Sequence, residues 1–104
     1  MVYHYGCGMF MVAVTYAASV DLVDRFGPAH GDWPKQLISQ RLLLAAGRQI
    51  PLTGGVYLAS EMSTEDLSRL LATDPHVLNG VAAHSVVGFT PLLVAAGLED
   101  LKDQ

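Results

Sequence analysis

The apolar positions of this chain change their spacing several times, and each change marks an element. "MFMVAVTYAA", residues 9–18, is a short apolar run rich in β-branched and aromatic residues, the pattern of a strand covered on both faces. Ser19 then caps "VDLVDRF", where Val20, Val23 and Phe26 share a helical face and Gly27-Pro28 interrupts it. Asp32 is the expected N-cap of a second helical piece that tolerates Pro34 in its first turn, carries Leu37, Ile38 and Arg41, and runs to about residue 40. "RLLLAAGRQI" and "GVYLASE" read as strands joined by a Pro51–Gly54 loop, close enough to pair as a hairpin. "STEDLSRLLAT" carries the strongest helix signal: Ser63 or Thr64 as cap, Glu65 and Asp66 in the first turn, and Leu67, Leu70 and Leu71 on one side. "DPHVLNG" is turn-rich, "VAAHSVVGF" is a final strand, and "TPLLVAAGLEDLKDQ" is a tail with a short helix or edge strand.

The sum is β-α-β-β-α-β, an α+β ferredoxin-like order with both helices on one face of a four-stranded antiparallel sheet. Residues 1–8 form an N-terminal extension, 9–93 the domain and 94–104 a C-terminal tail. Alternate residues of "MFMVAVTY", "GVYLASE" and "VAAHSVV" face away from the helices and remain largely apolar. A second copy packed face to face, a homodimer, is the expected cover. Clefts beside such an interface suit a small-molecule substrate.

Composition narrows the partners. The chain has 104 residues, 51% apolar and 15% charged, enough for one domain with a real core yet small enough to favour association. Its formal charge is −4 and Lys and Arg do not cluster, which argues against nucleic acid. The first twenty residues lack Lys, Arg, Asp and Glu. Without a positive n-region, and with His4, Gly6 and Gly8 ahead of an apolar run too short for a span, they read as neither signal nor membrane anchor. The single cysteine, Cys7, has no internal partner and lies in the extension, which fits a reducing, cytoplasmic setting and an incidental thiol.

Five stretches, "GPAH", "LLLAAG", "GGVYLAS", "LLATDPHVLNGV" and "HSVVGFTPL", together resemble the YCII-related (YciI-like) family over roughly residues 9–93. The resemblance implies a ferredoxin-like fold, assembly as a dimeric α+β barrel, and a site built on one histidine and one aspartate. By motif match these are His30 and Asp74, and Arg25 stands where many members carry a basic residue. The chain departs from the family pattern where Gly31, Asp32 and Pro34 follow the histidine, and where Gly47-Arg48 replaces Gly-Pro, so that Arg48 enters a pocket usually closed by proline.

His30 carries an imidazole that exchanges a proton near neutral pH, and a hydrogen bond from one ring N–H to Asp74 would fix its tautomer and leave the other nitrogen as base. The plainer alternative is that His30 tops a helix and Asp74 caps the Asp-Pro turn. Arg25 and Arg48 are candidates to bind a carboxylate or phenolate, against the ordinary role of solvated charges. Tyr16, Trp33 and Tyr57 are candidates for an aromatic-lined pocket or for the core, and His84 for the cleft. His76 and His84 lack a regular metal-ligand spacing, so no metal is expected, and neither glycine pair stands in a phosphate or nucleotide loop, so no cofactor is expected. The leading expectation is a cofactor-independent lyase or isomerase acting on a small cyclic or aromatic molecule. Its rivals are a non-catalytic small-molecule-binding or accessory dimer and, by fold analogy, a cofactor-free oxygenase.

Overall fold

Strand β1 (Cys7–Tyr16) alternates from Phe10 onward. Phe10, Val12 and Val14 are buried on one face, while Met11 and Thr15 are exposed on the other. The computed structural model describes residues 7–25 and 27–101, with side chains described for all of these except 7, 27–30 and 100. After β1 come α1 (Val20–Asp24), α2 (Gly27–Ser39), β2 (Leu43–Arg48), β3 (Gly54–Ser63), α3 (Thr64–Leu71), α4 (Pro75–Leu78) and β4 (Ala82–Phe89). The four strands form one sheet in the order β2-β3-β1-β4, every neighbouring pair antiparallel. This is the expected ferredoxin-like arrangement, with each helical stretch split into two pieces.

The core lies between one face of this sheet and the helices. Phe10, Val12 and Val14 of β1, Leu43 of β2 and Tyr57 and Ala59 of β3 meet Leu37 of α2 and Leu67 and Leu71 of α3. Burying each of these large side chains is worth about 1.5–3 kcal/mol, which is what holds short helices that would not persist alone. The opposite face stays apolar and open: Met11, Val87 and Phe89 are 51%, 64% and 41% exposed. The chain beyond β4 returns over one end of it, forming with Met9, Leu58 and Phe89 an apolar groove of about 510 Å³ that holds no titratable side chain. Among the described residues no helix is long and apolar enough to cross a membrane.

Four local expectations change. β1 begins at Cys7, which pairs with Ser63, so two residues assigned to the extension belong to the sheet. Helix α2 begins at Gly27 and not at Asp32, because Pro28 near a helix start supplies a favourable φ and gives up only an amide that has no helical partner. Asp32 is therefore interior and caps nothing, and Pro34 sits in the middle of the helix, where it cannot donate to the carbonyl four residues back. β2 starts at Leu43, since Arg41 adopts φ 58° and closes α2 with paired bonds, Arg41 N–H to Ile38 C=O at 2.9 Å and Leu42 N–H to Leu37 C=O at 2.9 Å. "DPHVLNG" is a full helical turn, α4, capped by Asp74 and stopped at Gly80, whose φ of 72° suits glycine. At the end of the tail the chain makes a 3-10 turn, Glu99–Leu101.

Candidate functional site

Asp74 is the N-cap of α4. Its backbone is extended, Pro75 follows in the first turn, and its Oδ1 accepts the His76 N–H at 3.0 Å. Capping directs the second oxygen at the sheet. There Oδ2 accepts from the Tyr57 hydroxyl at 3.1 Å and from His84 Nε2 at 2.9 Å. A carboxylate oxygen accepts, so His84 presents an Nε2 proton to it.

Strand register explains the convergence. Tyr57 lies opposite Val12 and His84 opposite Val14, so both project from the helix-covered face on either side of β1. Their rings meet edge to face with centroids 6.2 Å apart. Asp74 is 0% exposed, and a carboxylate so buried persists as an ion only when hydrogen-bonded and paired. Tyr57 answers to the same environment. Burial first, then the charge of Asp74 and its hydrogen bond, then Tyr16, push the phenol well above the usual tyrosine range and keep it protonated as a donor.

A cavity of about 190 Å³ adjoins this cluster, lined among others by Tyr16, Gly31, Arg48, Tyr57 and His76. It runs from exposed Arg48 on the sheet edge to buried Tyr57 and His76. The Tyr16 and His76 rings meet nearly perpendicular with centroids 6.1 Å apart. Of the residues singled out in the sequence, Tyr16 and Arg48 therefore stand on the wall. His84 reaches the carboxylate from behind. Trp33 leans on Tyr57 with centroids 5.5 Å apart and gives its Nε1–H to Thr73 Oγ1 at 2.8 Å, so it braces the wall from outside. Arg25 is exposed at the end of α1, and it is its neighbour Asp24 that lines the cavity. His30 lies in the first turn of α2, one residue before Gly31, and its side chain lies outside the described residues.

The Tyr57–Asp74 contact is the feature that sequence reasoning missed. A signal existed: period two puts Tyr57 and Ala59 on one face of β3, and a tyrosine on a buried face needs a partner for its hydroxyl. What no spacing reveals is that a cap 17 residues onward supplies it. Among the described residues no three His, Cys, Asp or Glu side chains gather in a way that would hold a metal ion.

No family model matches the chain, and no curated protein matches it either. Among solved structures, the chain is similar to a 5-chloro-2-hydroxyhydroquinone dehydrochlorinase from Burkholderia phenoliruptrix AC1100, determined in complex with 2,5-dihydroxybenzoquinone. The TM-score is 0.68 at 15% identity, over 79% of this chain and 93% of that one, so the two share a fold.

Proposed function

We propose that this protein is a YCII-related enzyme of lyase or isomerase type that moves a proton on a small cyclic or aromatic substrate. The observation that carries the proposal is the buried Asp74 carboxylate, held by Tyr57 and His84, with Tyr57 itself on the wall of the adjoining cavity. In this reading His30 is the proton carrier and Asp74 the fixed charge that stabilises its protonated form. A proton leaves an acidic C–H or O–H of the substrate, and its electron pair moves into the ring system. The pair then either expels a leaving group or is re-protonated at another atom. Tyr57 and His84 act through Asp74 as positioning residues, keeping the carboxylate ionised and oriented.

Further support comes from size and from fold. An engineered apolar cavity of about 150 Å³ admits benzene, so the cavity here suits one substituted ring. The dehydrochlorinase with this fold acts on a chlorinated hydroxyhydroquinone, which makes substituted hydroquinones the first compounds to assay. The open apolar sheet face around Met11, Val87 and Phe89 favours a homodimer. The test is turnover of such a panel by wild type, His30→Gln and Asp74→Asn. Both variants should lose most activity while remaining folded. Unchanged turnover in both would refute the assignment.

A second reading has its own observation. Asp74 caps α4 and anchors two core side chains, which is sufficient reason for an aspartate there without chemistry. A non-catalytic ligand-binding dimer would then bind the same rings and turn none over.

A further inference from the structure

Arg48 occupies an unusual place for a surface arginine. It is the last residue of β2, paired with Gly55 of β3, and the row continues across β1 at Val14 to His84 on β4. Arg48 and His84 thus stand at opposite ends of one line across the helix-covered face. Between them Gly55 and Val14 present little bulk, and both line the cavity. The other arginines serve elsewhere: Arg69 pairs with Glu65 and Asp66 on α3, Arg41 closes α2, and Arg25 caps α1. Among the described residues Arg48 is the cation on the cavity wall, and it makes no hydrogen bond or ion pair with any of them. The Tyr16 hydroxyl, also on the wall, has no hydrogen-bond partner among them either. In a chain with a formal charge of −4, a planar five-donor cation left uncommitted at a cavity rim is a recognition element for an anionic group.

We propose that the cavity is selective for an organic anion: a single planar ring whose carboxylate or phenolate is held by Arg48 at the rim, with Tyr16 donating to the same ligand. The ring then lies toward Tyr57 and His76, next to the Asp74 cluster. Asp24, the acidic residue on the wall, disfavours a second negative substituent and accepts from a ring hydroxyl instead. The ligand class is therefore a monoanionic hydroxylated ring. This deepens the proposed function by naming its substrate class, and it rests on that reading only for the ring's identity as substrate.

The test is equilibrium binding to the whole chain, followed by amide NMR shifts, with 4-hydroxybenzoate against its neutral isostere 4-hydroxybenzamide. Wild type should bind the carboxylate roughly tenfold tighter, the effect of one charge-assisted contact, with shifts centred on Tyr16, Arg48 and Tyr57. Arg48→Gln, at an exposed position, should fold normally and bind both compounds equally. Equal binding by wild type, a preference that survives Arg48→Gln, or no shifts at the cavity with either compound at millimolar concentration would each overturn the proposal. Because the readout is binding, its failure is separable from that of the catalytic reading, which Asp74→Asn turnover decides.

Discussion

Replacing Tyr57 with phenylalanine removes one oxygen from the buried cluster and little else. The ring remains to pack against Trp33 and His84, while Asp74 keeps His84 Nε2 and the His76 N–H as donors. Hydrogen bonds to charged groups are worth about 1.5–3 kcal/mol, so a loss of about 2 kcal/mol is expected near neutral pH. At 4–8 °C per kcal/mol for a domain of this size, the melting midpoint should fall by roughly 8–16 °C. The pH dependence is the sharper part. Tyr57 has a folded pKa raised above its unfolded value near 10, so its contribution is complete below that value. Above it the unfolded chain releases a proton that the folded chain retains, and stability declines by about 1.4 kcal/mol per pH unit. The phenylalanine variant lacks this term. Its deficit should shrink by the same amount for each unit above pH 10, and the difference between the two proteins cancels every other titration. Urea unfolding at pH 7 and pH 11, at equal protein concentration, measures both quantities. Equal stability at pH 7, or a deficit unchanged at pH 11, would refute the account of Tyr57 as a buried donor to Asp74.

Three further substitutions probe the framework. Asp74→Ala removes the α4 cap and strands two buried donors, and should cost more than about 3 kcal/mol, whereas Asp74→Asn retains an acceptor for the His76 N–H and should cost less; chemical denaturation of both variants distinguishes them, and equal losses would show that the retained cap contributes nothing. Gly54→Ala should fail to fold or lose more than about 3 kcal/mol, because the new methyl would overlap the Val14 carbonyl oxygen; a native far-ultraviolet spectrum and melting curve would disprove the close approach. Arg41→Gly should stabilise by about 1 kcal/mol by relieving a left-handed arginine at the end of α2, and a lower midpoint would argue against that geometry.

The strands and the α3 helix were legible because their signals are local. Period two in β1, the Ser63 cap and the leucines of α3 each act within a few residues. The start of α2 was misjudged for a local reason too, since Gly-Pro reads as a break yet also opens a helix, and nothing nearby separates the two uses. The candidate site was legible only as a set of residue types. Asp74, Tyr16, Arg48 and His84 were all singled out, but the pairing of Asp74 with His84 and Tyr57 is a product of register.

By itself, then, the sequence determined the alternation that builds the sheet, the order of elements that makes it ferredoxin-like, and the Asp-Pro cap that turns the chain at residue 74. Those properties depend on side chains a few positions apart. Tertiary structure alone decided which histidine of the described side chains meets Asp74, that Tyr57 stays protonated beside it, and that Arg48 rather than Arg25 reaches the cavity. Each depends on which strands lie side by side, a choice made by burial of the whole apolar face and not by any local segment.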